Sequence, residues 1–545
     1  MYTEQQKVTV EELRRLFDSN ELFALIDVRE FGEYTKGYIL LASPLPYSRI
    51  EMKVESLIPC KNVPVIITDS GENGDTRSKK AAKLLKKMGY QKISILENGV
   101  RGWHNSGYEL FKGIGCPSKC YAAYLEQKKH VPGYFPKDVQ EKLKNGEKIA
   151  FIDIRREEEF LKMCLPNGLN APGCDSAYRF LDLVPDPETL VLVNCGARTR
   201  SILFAQTLID FGVPNPVATL KGGTLNWKRN GYELRYGNDN KIAPPSAEAI
   251  AFSHKKAKSL ADKLNIQFID KETLEQWQIK SQEEPLYVFD VRLPGEYAQS
   301  HLQGSMSAPG GHLAQCITEF IAVRNAKVVL IDDTEVRSII TAYWLKELSV
   351  ENVCVLKGGL GGSGIGCQNL TSNTYSISST LLDKLPQQNS ITPSSLLQKN
   401  QSTSVPLIID IGYSNNYRNS HIPSSIWCPR GWLEEAHKKY ENVQEIIITS
   451  DDELHARLTV EDAKEIWPQA KISYLEGGTP AWNHAQFPSE TGMKNACVKE
   501  DDIPYLWYTD PNITGADMDK YFDWENKDLA QLLKDKTFHY NLLEV

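Results

Sequence analysis

The chain has 545 residues, enough for three or four domains at roughly 150 residues each. Its 62 Lys and Arg against 70 Asp and Glu leave a net charge of −8, which excludes the net-basic surface that non-specific nucleic-acid binding needs. Apolar residues at 41% and charged residues at 24% describe a globular chain rather than a disordered one.

The opening residues Met1 to Lys7 carry neither a basic n-region nor an apolar h-region, so no secretory signal is expected. Gly358–Leu381 is long and uncharged, but its Gly, Ser, Thr and Asn content makes it a poor membrane helix, and no membrane partner is expected. Eleven cysteines are too few, and odd in number, for a disulfide scaffold, so a reducing, cytoplasmic setting with free thiols is the expectation. The ten histidines form no HExxH and no CxxC pair occurs, so neither a metal nor another cofactor is expected.

In chain order, the first unit shows an apolar strand ending in Asp (Phe23 to Asp27, then Arg29), an acidic-aromatic pair Glu33-Tyr34, and a second apolar strand Val65-Ile66-Ile67-Thr68. It closes on Gly99 to Trp103. The same grammar returns in the second unit: Ile149 to Asp153 with Arg155, Glu159-Phe160, Leu190 to Val193, an amphipathic helix through Ile202, Leu203, Ala205, Leu208 and Ile209, then Gly222-Gly223 to Trp227. The third unit repeats it with Leu286 to Asp290 and Arg292, Glu296-Tyr297 and Val328 to Ile331. The fourth has Leu407 to Asp410, Tyr417 without the acid, Ile446 to Thr449 and Gly477-Gly478 to Trp482. The strand-end Asp residues lie 120 to 137 positions apart, so each repeat is domain-sized rather than a solenoid turn.

Continuous apolar strands alternating with helices predict an α/β fold, a parallel sheet covered on both faces, four times over. The units are placed at 1–112, 130–237, 245–366 (a leading helix over 245–262, then the core from 268) and 391–490. Residues 113–129 read as a Pro- and Gly-broken connector and 367–390 as a Ser/Thr-rich flexible linker. The tail 491–545 carries Met518, Tyr521, Phe522, Trp524, Leu529, Leu532 and Leu533 at near-helical spacing, predicting a helix docked on the last unit.

One loop carries chemistry. Cys195 follows the second unit's strand and opens Cys195-Gly196-Ala197-Arg198-Thr199-Arg200-Ser201 before a helix, the place where α/β sheets hold ligands. Backbone N–H groups curling round the sulfur and a helix N-terminus favour an anionic sulfur there. Arg198 and Arg200 add positive charge for an anionic substrate. The bland alternative is a buried Cys beside two surface arginines.

These features together, with the His301-Leu302-Gln303-Gly304 turn, resemble the rhodanese (sulfurtransferase) family over nearly the whole chain, in the arrangement of bacterial four-domain rhodanese-related sulfurtransferases. The resemblance implies four tandem rhodanese-like domains, each a five-stranded parallel sheet flanked by helices. It further implies a loop cysteine, Cys195, that carries sulfane sulfur as a persulfide, with residues 196–200 as its cradle and Arg200 closing it. Asp153 and Arg155 match the family's structural pair. Asp69, Asp332 and about Ser450 stand where Cys195 would be, and none can hold a persulfide, so those three units read as catalytically silent. Cys164 replaces the turn histidine that His301 and His421 supply later.

Cysteine-dependent phosphatases place Arg six positions after Cys; here Arg200 is five after Cys195 and position 201 is Ser, which leaves phosphatase as a minor alternative. Gly359 to Gly364 matches GxGxxG but reads as a decayed Gly-Gly ending, not a dinucleotide site. Cys116 and Cys120 read as packed or exposed linker thiols rather than a redox pair. The expected chemistry is double displacement: the Cys195 thiolate takes sulfur from an anionic donor such as thiosulfate and passes it to a thiol or cyanide. Cys174 is considered as a resolving thiol. The competing expectation is a non-catalytic scaffold or sulfur-relay module, with the silent units as support, homodimer surface or docking site.

Overall fold

The computed structural model describes residues 6–237, 243–362, 370–371, 385, 389–402, 404–504, 514–535 and 537–545. Four five-stranded sheets follow one another along the chain. In the second, the strands lie in the order Gly133–Tyr134, Val217–Leu220, Leu190–Asn194, Ile149–Asp153, Leu169–Asn170, and every pair in it is parallel. The register sets Asn194 beside Asp153, so Cys195 leaves the sheet next to the strand-end acid of its neighbour. The other three sheets repeat the order, with Asp27, Asp290 and Asp410 paired to Thr68, Ile331 and Thr449.

The central strands are apolar along their whole length because helices cover both faces; Val191, Leu192 and Val193 are each fully buried. The helix after the Cys195 loop runs Thr199–Phe211 and turns Leu203, Phe204, Leu208 and Phe211 inward, while Ile209, read from the sequence as part of that stripe, is 39% exposed. Trp103, Trp227 and Trp482 each donate an indole N–H to a carbonyl six residues on, at Glu109, Glu233 and Pro488, which closes those three units alike.

One connector differs from the sequence reading, and another follows it. Residues Cys116–Lys129 form a helix: Gly115 caps it in the left-handed region and Pro117 falls in its first turn, where a missing N–H costs nothing. Cys116 and Cys120 lie one turn apart on it, both buried, with sulfurs 3.7 Å apart. The leading helix of the third unit spans Ala247–Lys263, capped by Ser246. Most of the 367–390 linker and the segment after Gly362 of the glycine-rich motif lie outside the described residues.

The tail helix Gly515–Asp535 docks elsewhere than on the fourth unit. Gln531 donates to the Leu110 carbonyl, Asp535 accepts from the Glu109 N–H, and Tyr540 donates to the Pro117 carbonyl. Met518, Leu532 and Phe538 are buried, whereas Leu533 is exposed. The tail thus closes over the first unit and the 116–129 helix, whose apolar face needs a cover; the Tyr521, Phe522 and Trp524 side chains lie outside the described residues.

The units associate in matched pairs. Between the second and third, Arg337 meets Asp175 at 3.4 Å and lies over the Tyr178 ring. Between the first and fourth, Arg430 pairs with Glu51 at 2.8 and 3.0 Å, and Arg77 lies over Trp432. Among the described residues no helix is long and apolar enough to cross a membrane.

Candidate active site

Asp153 ends its strand with both carboxylate oxygens committed. The Arg155 backbone N–H reaches one at 3.1 Å, and the Arg155 guanidinium takes both at 2.7 to 3.1 Å before donating onward to the Met163 carbonyl. The pair is nearly solvent-free, so its work is to fix the strand end. Asn194 extends that rigidity: its amide donates to Asp153 at 3.2 Å and to Thr224 at 3.0 Å. Thr224 in turn donates its N–H and hydroxyl to the Cys195 carbonyl, at 2.9 and 3.1 Å. Gly223 is required beneath this point. Its φ of +57° is left-handed, and a Cβ there would lie 2.4 Å from the Cys195 oxygen.

Cys195 is 2% exposed. Its sulfur hydrogen-bonds the Ser201 hydroxyl at 3.6 Å, and that hydroxyl donates to the Arg198 carbonyl at 2.7 Å. Among the described residues, the N–H groups of Gly196, Ala197, Thr199 and Ser201 donate to no protein acceptor, although the loop leads straight into the N-terminus of the Thr199–Phe211 helix.

The units that carry Asp in place of Cys show what such a loop does with an anion at that position. In the third, Asp332 accepts from the Arg337 N–H at 3.1 Å and the Ser338 hydroxyl at 2.8 Å, the counterparts of Arg200 and Ser201. In the first, Asp69 accepts from the Gly71 N–H at 2.9 Å and the Ser78 N–H at 3.4 Å. Burial pushes both carboxyls up, Asp332 to about 6, and the loop N–H groups are among the contacts that pull them back. In the fourth, Ser450 bonds the His455 Nδ1 at 3.1 Å.

The two arginines read from the sequence as substrate holders are already engaged. Arg200 gives both terminal nitrogens to Glu159 at 2.8 and 2.9 Å, each side chain 14% exposed. Burial alone would raise the Glu159 carboxyl; the Arg200 charge and hydrogen bonds overcome it and hold the group down at about 2. Arg198 binds Glu126 on the 116–129 helix at 2.6 and 3.1 Å, with both side chains about a quarter exposed. Arg200 therefore anchors the loop, and Arg198 ties it to the preceding connector.

Glu159 is the partner of the loop arginine that the sequence reading passed over, and the repeats held the signal. Glu33 pairs with Arg77, and Glu296 with Arg337, as Glu159 does with Arg200. The fourth unit has Asn416 and His455 at those places, so acid and base are lost together.

The third unit covers the mouth of the second. A small cavity between them is lined by Arg156, Cys174, Arg200, Phe204, Pro309 and His312. His312 holds the place in its unit that Asp175 holds in the second, five residues beyond the strand partners Ser307 and Asn170. Cys174 makes its hydrogen bond across this interface, to the Thr341 hydroxyl at 3.5 Å, and burial pushes its thiol up to about 12. Those surroundings oppose its use as a resolving nucleophile.

A family model described as "Rhodanese-like domain" matches residues 9–106, 135–230, 271–362 and 392–485. The crystal structure of a thiosulfate sulfurtransferase from Pseudomonas aeruginosa superposes with a TM-score of 0.92 at 31% sequence identity, covering 99% of this chain and 100% of that one. The Bacillus subtilis (strain 168) protein YrkF, named as a candidate sulfur carrier, is 31% identical over 97 residues; the match spans 18% of this chain and 50% of that protein.

Proposed function

Because the chain belongs to the rhodanese-like domain family, we propose that it is a sulfurtransferase in which Cys195 accepts sulfane sulfur from an anionic donor such as thiosulfate and yields it to a thiol or cyanide. The observation that carries this reading is the loop itself. Cys195 sits where Asp332 and Asp69 receive N–H donors in the third and first units, while among the described residues the N–H groups of Gly196, Ala197, Thr199 and Ser201 around Cys195 donate to no protein acceptor. A thiolate or persulfide at that point, and the charge that develops on it during transfer, meets oriented backbone dipoles at a helix start.

The chemistry balances as two displacements. The thiolate attacks the outer sulfur of thiosulfate, forming the Cys195 S–S bond as sulfite leaves with the electron pair. An acceptor thiolate or cyanide then attacks the terminal sulfur and the Cys195 thiolate departs. Glu159 and Arg200 act as positioning residues, and no further cofactor enters the scheme.

The 2% exposure of Cys195 favours a second reading, a scaffold or sulfur-relay module whose thiol is closed off. Alkylation of the full chain with a small reagent across pH, with Cys195→Ser as the blank, separates the two. A cradled thiolate is labelled at Cys195 well below the pH at which an ordinary free thiol reacts; a closed-off one is not labelled until the chain unfolds.

A further inference from the structure

Three donor side chains that the sulfur chemistry does not use converge in the third unit. His312, Cys316 and Glu319 offer an imidazole nitrogen, a thiol sulfur and a carboxylate oxygen, all within 4.8 Å of one another. They stand at i, i+4 and i+7 along one stretch. The backbone fixes their spacing: the Cys316 N–H donates to the His312 carbonyl at 2.9 Å, and the Glu319 N–H to the Cys316 carbonyl at 2.8 Å. The Phe320 ring meets His312 edge-on, with centroids 5.2 Å apart, and limits its rotation.

We propose that His312, Cys316 and Glu319 bind a divalent cation of borderline softness, zinc foremost, through three protein ligands with the fourth position open. The donor set selects the metal: thiolate with imidazole suits zinc or cobalt and disfavours magnesium and calcium. Charge favours it as well. A divalent ion with one thiolate, one carboxylate and a neutral imidazole has no net charge, which suits a partly buried cluster built around the buried Cys316. Tetrahedral bonds of about 2.0–2.3 Å set donors about 3.5 Å apart, a contraction within reach of side-chain rotation. Access is present: Glu319 lines a cavity of about 360 Å³ between the first, third and fourth units, and His312 lines the smaller one beside Arg200.

The test is titration of the chelator-stripped full chain with cobalt(II), read by optical absorption. One equivalent should give tetrahedral ligand-field bands with a thiolate-to-cobalt charge-transfer band, displaced by zinc. Cys316→Ser should abolish the charge-transfer band, Glu319→Gln should weaken binding at least tenfold, and Cys195→Ser should leave the spectrum as it is. If Cys316→Ser fails to fold, as a thermal melt reports, His312→Ala is read in its place and should weaken binding at least tenfold. The proposal is overturned if wild type binds no stoichiometric cobalt, or if the charge-transfer band survives in Cys316→Ser or disappears in Cys195→Ser. Failure here leaves the sulfur reading of Cys195 untouched.

Discussion

Arg200 and Glu159 form a two-pronged ion pair, 2.8 and 2.9 Å, that joins the end of the active loop to the helix after the strand-end Asp. The pair is mostly buried, so removing one partner strands a charge. Glu159→Gln should lower stability by about 2–4 kcal/mol, at the low end for buried pairs because each side chain keeps some solvent contact. It should also cut turnover more than tenfold while Cys195 remains present. Equilibrium denaturation and steady-state kinetics check both; unchanged turnover would make the clamp dispensable.

The clamp also has a pH signature. Glu159 is held at about 2 in the folded chain and titrates near 4.3 unfolded. Its contribution is therefore complete above about pH 4.5 and lost as pH falls toward 2. The stability difference between wild type and Glu159→Gln should be flat from pH 5 to 8 and shrink below pH 4, as paired urea titrations would show.

Arg198 supplies a contrasting case, because its guanidinium is shared with Glu126. If Arg198 helps to hold an anionic donor, Glu126→Gln should release it and lower the KM for thiosulfate several-fold with little change in kcat. A raised KM would mean instead that the pair serves only to tie the loop to its connector.

Asp332 makes the anion cradle measurable without sulfur. Placing Asp at Cys195 copies the third unit, in which loop N–H and hydroxyl groups surround a carboxylate. Cys195→Asp should therefore lose stability relative to Cys195→Asn as pH rises from 4 to 6, burial of the carboxylate outweighing the loop donors as it does at Asp332, though both lack sulfur chemistry. Melts from pH 4 to 8 that stay parallel for the two variants would show that the second loop does not treat a carboxylate as the third does.

In the third unit itself, Asp332 sits at about 6 in the folded chain against about 3.9 unfolded. The folded form holds that proton more tightly, so the term costs stability as pH rises from 4 to 6, on the order of 2–3 kcal/mol. Asp332→Asn should remove this slope and gain relative to wild type at pH 7; melts from pH 4 to 8 would reveal a parallel pair of curves if the assignment is wrong.

The sheets were legible in the sequence because each is written locally: an apolar run, a terminal Asp and a closing Gly-Gly repeat often enough to set their own frame. The Cys195 loop was legible for the same reason. Contacts between distant segments were not. Glu159 precedes Arg200 by a strand and several turns, and only the joint loss at Asn416 and His455 hints at the pairing. Arg198 read as a free cation because Glu126 lies in a connector whose Pro117 suggested a break, while the fold uses that proline in a helix start. His312, Cys316 and Glu319 match no familiar ligand spacing, and their place beside the second unit's mouth follows from packing between units. The tail's apolar spacing gave a helix, but not its berth against Leu110 and Pro117.

The most direct measurement is intact mass of the full chain after incubation with thiosulfate, beside Cys195→Ser treated alike. Wild type should gain the mass of one sulfur atom and lose it on addition of cyanide, while the variant gains nothing. Sulfur uptake by the variant, or none by a wild-type chain whose Cys195 is reduced, would contradict the transfer chemistry assigned to the second unit.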